Sequence, residues 1–406
     1  MKLLIKSLFV IASLVILSCN KGDKPDPYLI IDPIESADTP YISITSAEAV
    51  GSTIHIYANA VVPDRPNVWI DWNNNGKWDR DIDQKITIFY LTDDLFTLKS
   101  QNFRIYGNLT AFGCSGNKLT HLDLSHHPYL QTLFCSQSQL THLDLSYSKA
   151  LVHLDCSTNS LTTLDISKNS ALKELICSHN LLMTLKLNTE LTSLYCRENN
   201  LTEVTLSVLK QLSRLDVSDN PLSELNVSDN KQLKVLSCNN IGLKQLDVSQ
   251  NKSLTDLYCS DNPIGSLDIS QNKQLTSLNC INNGLRTLNL SANLLLKQLY
   301  CATNSLTTLD IHSLGKLERL GCHQNQLSHL DFSHNPTIKS IDLYDNQIKR
   351  AEMEKLVKSL PTYPKPKFPI EEPAVIRIKR ENHLIDNNET SAEIINLLKA
   401  KNWYVQ

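Results

Sequence analysis

The sequence predicts a mainly β solenoid of about twelve 21-residue coils, flanked by a β-rich N-terminal cap domain and a small α/β C-terminal cap. Two observations carry this. Beyond Cys19, cysteines stand at 114, 135, 156, 177, 196, 238, 259, 280, 301 and 322, and the prevailing gap is 21 residues. Val217 fills the one double gap in register, Leu343 lies one step past Cys322, and a two-residue deletion separates Cys177 from Cys196. Around each register position the chain repeats L-x-x-L-x-C-x-x-N-x-L-x-x-L-D-L-S-x-N-x-x. Leu151, Leu154, Cys156, Asn159, Leu161, Leu164, Asp165, Ile166, Ser167 and Asn169 are one instance.

Residues 1–18 have the pattern of a secretory signal: Lys2 and Lys6, an apolar run from Leu8 to Leu17, then Ser18 before Cys19. The run is shorter than the roughly 18 apolar residues a membrane span wants. Ile16-Leu17-Ser18-Cys19 looks like a bacterial lipobox, which makes Cys19 the lipidated first residue of the mature chain. Asn20 in place of Asp favours the outer membrane or cell surface, and residues 19–27 read as a polar tether.

Residues 28–107 alternate as strands at Tyr41-Ile-Ser-Ile, Ile54-His-Ile-Tyr, Val68-Trp-Ile and Lys85-Ile-Thr-Ile-Phe. Between them, Asp71, Asn73, Asn75 and Asp79, with Gly76 sixth, partly match an oxygen-rich calcium loop. The segment also resembles the W-x-D-x-N-x-D-G loops of bacterial surface modules. Ile82 stands where such a loop wants Glu, and a polar Asn-Gly hairpin accounts for the same residues. No other cofactor is expected.

Residues 108–349 hold the repeats, whose spacing is the leucine-rich-repeat pattern. Alternation in x-L-x-C and again in x-L-D-L-S predicts two short strands per coil, one on each side of the solenoid. No coil can bury its leucines alone, so neighbours must stack. The Asn three places after most register positions, interrupted at Ser138 and Ile241, should turn inward and bond backbone groups that burial would leave unpaired. Stacked cysteines would lie about 4.8 Å apart on parallel vectors, whereas a disulfide wants Cβ atoms about 3.8 Å apart on converging ones. A ladder of buried, reduced thiols is therefore expected. The recurring Asp and Ser of the second half suit a hydrogen-bonded structural ladder, and His121 and His142 a solvated face or, alternatively, a transition-metal site.

Residues 350–406 should close the far end. Met353, Leu356, Val357 and Leu360 keep helical spacing until Pro361. Ala374 to Lys379 reads as a strand, and Thr390 with Glu393 as a capping box opening a helix to about Lys401.

One Cys per 21-residue repeat with an L-D-[LVI]-S half resembles the cysteine-ladder repeats of internalin J-type adhesins and the repeat lipoproteins of Bacteroidetes. The resemblance covers roughly residues 100–350 and implies cell-surface binding of protein or glycan without catalysis. The shortened coil at Leu187 to Leu191 and the loss of Asp-Ser between Val204 and Leu212 depart from it and are expected to mark a bend.

A net charge of −3 gives no reason to expect nucleic acid. The chain has neither a P-loop nor a dinucleotide fingerprint, and residues 28–107 show no nucleophile–base set. The expected function is non-catalytic recognition of a host or bacterial surface protein; the alternative is glycan binding in nutrient uptake. The outward position between Leu and Cys lines one sheet face. Phe134, Ile176, Tyr195, Tyr258 and Tyr300, with Arg197, Arg214 and Arg319 nearby, are the candidate contacts, since Tyr and Arg are enriched at recognition hot spots.

Overall fold

The computed structural model describes residues 32–89, 94–364, 373–379 and 388–405. Cys19 and the segments 1–18 and 19–27 lie outside them. The dominant feature is a 16-stranded sheet. Three-residue strands from Thr132–Phe134 to Ser340–Asp342 pair in parallel and in register, each one coil from the next. The twelve register positions thus enclose eleven full coils. Both inward residues of x-L-x-C are excluded from water: Leu257 and Cys259, like Leu278 and Cys280, are 0% exposed.

The N-terminal strands are β1 (Tyr41–Ser46), β2 (Thr53–Ala60), β3 (Trp69–Asp71), β4 (Gln84–Lys85), β5 (Asp94–Thr97) and β6 (Asn102–Tyr106). The first coil then supplies β7 (Leu109–Gly113) and β8 (Leu119–Asp123). β2 lies antiparallel between β5 and β7 and so extends the solenoid sheet. β1 lies antiparallel between β6 and β8, on the other side of the first coil. Ile42, Ile54, Trp72 and Phe103 share one continuous core with the repeat leucines. The strand expected from Lys85 to Phe89 stops at Lys85. Beyond Ile86, whose N–H reaches the Val68 carbonyl, no strand partner is in place among the described residues, because Val62–Asn67 is a 3-10 helix containing Pro63 and Pro66.

Only one side of the solenoid is a continuous sheet, which corrects the expectation of two strands per coil. On the second side, among the described residues, only Thr163–Asp165 and Thr184–Lys186 pair with each other, and β8 pairs with β1. There the Asp side chain takes the N–H two residues on. Ser146 donates to Asp144 Oδ1, Ser249 to Asp247 Oδ1 and Ser270 to Asp268 Oδ1, each at 2.9 Å. These Asx turns satisfy the backbone within the coil instead of between coils. The one pairing falls where the next coil is two residues shorter and its chain is drawn against its neighbour. The sheet passes this deletion without a break in register: Leu175 faces Leu194, and Ile176 faces Tyr195. The Val204–Leu212 segment keeps its apolar positions, with Leu206, Leu209 and Leu212 buried.

The Asn ladder forms as expected. Asn180 Nδ2 donates to the carbonyls of Cys156 and Cys177 at 3.0 and 3.1 Å, and its Oδ1 accepts from Leu161 N. Asn117 uses the same groups on β2, bonding His55 N and O at 2.8 and 2.6 Å. A second ladder sits at the Asn that closes the repeat: Asn230, Asn251, Asn272 and Asn293 are 0% exposed. Each donates to two carbonyls of the preceding coil, as Asn251 does to Val227 and Asn230 at 2.9 Å. Two residues past most register positions the backbone is left-handed, at φ 52–59° from Gln137 to Asp345. Thr158 and Thr303 hold that conformation despite their branched Cβ.

All ten cysteines in the described residues are free and buried. Val217 and Leu343, 0% exposed, fill the same slot. At the C-terminal end, α1 (Arg350–Ser359) buries Met353, Leu356 and Val357. Ala374–Arg377 and Trp403–Val405 extend the sheet in parallel. The second helix, α2 (Ala392–Ala400), is capped by Ser391, whose Oγ accepts from Ile394 N, and not by Thr390. Thr390 Oγ1 is buried without a partner, and Glu393 reaches Arg350 at 3.0 Å.

Candidate functional site

Because the side-chain period in a strand is two, residues flanking each inward Leu point outward. The register aligns Phe134, Asp155, Ile176, Tyr195, Asp216, Ser237, Tyr258, Asn279, Tyr300, Gly321 and Asp342 in one file along the sheet. Arg377 extends the file at one end and bonds Asp342 at 2.8 Å. At the other end β2 places Tyr57 opposite Gly113, with its ring centroid 6.0 Å from that of Phe134. Tyr57 is a face residue that sequence reasoning missed. Its outward position follows from alternation, but nothing in the sequence reveals that β2 pairs with β7.

The rings lie flatter than an outward-pointing pleat suggests. Phe134 is 39% exposed, while Ile176, Tyr195, Tyr258 and Tyr300 are half-buried against neighbours on the same face. Glycine makes room at two places. A Cβ at Gly321 would meet Tyr300 Cδ1 at 3.0 Å, and one at Gly113 would meet Tyr57 Cβ at 3.0 Å. Burial raises the Tyr195 hydroxyl pKa above its ordinary value, and a hydrogen bond with Arg214 opposes that rise. Burial likewise raises the Tyr258 hydroxyl, which lies 3.5 Å from Asp256 Oδ1. Between Tyr195 and Ser237, burial lifts the Asp216 carboxyl, offset in part by hydrogen bonds from Ser218.

The structure does not gather the candidates into one spot. From Phe134 to Gly321 there are nine strand steps, about 43 Å. Phe134 stands with Tyr57 near one end, Tyr195 with Arg214 near the middle, and Tyr258 and Tyr300 flank Asn279 beyond them. Arg197 sits just past the inward Cys196 and is held by Asp219 at 2.8 Å and Glu198 at 3.2 Å. Arg319 is exposed beside Gln298 and Ser340.

In the β3–β4 loop the structure brings the calcium-loop candidates Asp71, Asn73, Asn75 and Asp79 together. Asp71, 0% exposed, accepts Gly76 N at 2.8 Å and Asn75 N at 3.3 Å. The Asn73 and Asn75 side-chain amides lie 2.6 and 2.7 Å from Asp79 Oδ2, and their Oδ1 atoms accept Asn75 N and Lys77 N. The loop is therefore closed by its own hydrogen bonds, with Asn74 and Gly76 at positive φ. Among the described residues, no group of three or more His, Cys, Asp or Glu side chains is placed to hold a metal ion, at His121 and His142 or elsewhere.

No family model matches the chain, and no curated protein does. Solved structures do. An internalin, inlF, from Listeria monocytogenes superposes with a TM-score of 0.62 at 22% identity, over 73% of this chain and 86% of that one. The leucine-rich-repeat protein LIC12759 of Leptospira interrogans gives 0.51 at 20% identity, over 69% and 84%. The functional domain of InlJ from Listeria monocytogenes, described as including a cysteine ladder, is 26% identical over 70% and 77%, with a TM-score of 0.47. The fold reached from spacing and from pairing is thus the one the inlF and LIC12759 comparisons give: the chain is a leucine-rich-repeat solenoid.

Proposed function

We propose that this chain is a non-catalytic recognition module that binds a protein partner along the outward face of its long sheet. The observation that carries this is the file of rings and arginine set on a rigid parallel sheet. Phe134, Ile176, Tyr195, Tyr258 and Tyr300 keep part of each side chain open to solvent, and Arg214 lies beside Tyr195. Rings ordered before binding lose little side-chain freedom on association, and Tyr and Arg supply both contact area and hydrogen bonds. Replacing Tyr195, Tyr258 and Tyr300 together by Ala should abolish binding to a partner captured by the wild-type chain, with the thermal unfolding of the repeats nearly unchanged. Binding that survives the triple change would show that another surface does the recognising.

The Ile16-Leu17-Ser18-Cys19 sequence supports a lipid on Cys19 that holds the module at the outer membrane or cell surface. Among the described residues no helix is long and apolar enough to cross a membrane. The full chain should partition into detergent, and Cys19→Ser should leave it in the aqueous phase; equal partitioning of both would remove the anchor.

A further inference from the structure

We propose that Lys210, Lys231, Lys252 and Lys273 form a straight basic track for a linear acidic polysaccharide carrying one carboxylate per sugar. The four occupy the same place in four successive coils, in the turn between the second side and the sheet, and all are exposed. Their spacing is fixed from beneath by the second Asn ladder. Asn230 donates to the carbonyl of Leu209, the residue before Lys210, at 2.8 Å. Asn251 donates to the carbonyl of Asn230 and Asn272 to that of Asn251, each at 2.9 Å. The backbone behind each lysine is thereby tied to the next coil by a buried bond. The ammonium groups spring from points one coil apart, about 4.8 Å, which is close to the length of one pyranose unit.

Two further features favour a sugar polymer. The residue after each lysine is Gln211, Gln232, Ser253 or Gln274, so a second file of hydrogen-bonding groups runs beside the charges. The lysines are also local. In other coils the same place holds Pro128, Ser170, Thr189, Leu294, Gly315 and Pro336, with one outlying Lys149, so the repeat geometry does not demand a cation there. The track is not cancelled by its surroundings. Asp229 pairs with Lys210 at 2.8 Å and lies near Lys231, but Lys252 and Lys273 are paired with no carboxylate among the described residues. A single file of charges suits a linear chain better than the plane of a membrane.

The test uses the full-length chain with polygalacturonate, neutral amylose, anionic phospholipid vesicles and an oligodeoxythymidine of matched charge. Binding to polygalacturonate, weakened by salt and absent for amylose, is expected. Changing Lys231, Lys252 and Lys273 together to Gln should weaken it about tenfold, since exposed ion pairs each contribute modestly. The Tyr195, Tyr258 and Tyr300 triple variant should bind polygalacturonate like the wild type, which separates this track from the sheet face. No binding, equal binding by the lysine variant, or equally tight binding to vesicles or oligodeoxythymidine would overturn the proposal.

Discussion

Alkaline solution should unfold this solenoid through its cysteines. Burial pushes the Cys259 and Cys322 thiols from 9.0 to about 12, and raises the other ladder thiols as well. Above pH 9 the unfolded chain releases protons that the folded chain retains. The unfolded state then binds fewer protons, so stability falls as pH rises from about 9 toward 12. Each thiol contributes a loss of about 1.4 kcal/mol per pH unit in that window. The other ladder thiols shift in the same direction, so the losses add along the solenoid against a stability that is only about 5–15 kcal/mol for a typical domain. Below pH 9 the ladder is neutral and the effect vanishes. Tryptophan fluorescence followed across a pH titration gives the midpoint. Replacing Cys238, Cys259 and Cys280 by Val, which Val217 shows the slot accepts, should move that midpoint upward while leaving neutral-pH stability within about 1–2 kcal/mol. An unmoved midpoint would refute the thiols as the cause.

Asn262→Ala should be among the most damaging single substitutions in the repeats. Asn262 is 1% exposed and serves five backbone groups: its Nδ2 donates to Cys238, Cys259 and Ser260 carbonyls, and its Oδ1 accepts from Ile241 and Leu243. Truncation strands several of these without water, at roughly 1–3 kcal/mol for each buried group left unpaired. A loss of about 3–5 kcal/mol is expected, read as a lower urea midpoint and as faster amide exchange at residues 241 and 243. The same change at Asn159, which is partly exposed, should cost less because solvent can replace some of its bonds. A variant as stable as wild type would mean that the ladder is dispensable.

How much of this was legible in the sequence depends on whether a feature repeats. Cysteine spacing gave the coil, the inward slot and the reduced thiols, since one geometric requirement recurs in every turn of the chain. The second Asn ladder was visible in the repeat pattern at Asn169, Asn251 and Asn272, but spacing alone assigned it no role. Its burial follows from the carbonyls of the preceding coil, which only stacking brings near. The second-side strands failed because alternation alone does not reveal that an Asp side chain will take an amide from the ladder. Tyr57, and the room that Gly321 makes for a ring, escaped because each depends on a partner strand. One is the antiparallel join of β2 to β7; the other is the ring of Tyr300 folded over a neighbour without a Cβ. At α2, Ser391 rather than Thr390 caps the helix, a shift of one residue that propensity does not resolve.

The uninterrupted sheet register across the shortened coil has an evolutionary corollary. Most contacts between coils join one turn to the next by the same few bonds, so the internal junctions are nearly alike. Unequal recombination that adds or removes a whole unit leaves each remaining junction intact, and a small loss is taken up away from the long sheet. The length of the molecule, and with it the number of side chains presented to a ligand, is therefore free to change in integer steps while the two ends stay as they are.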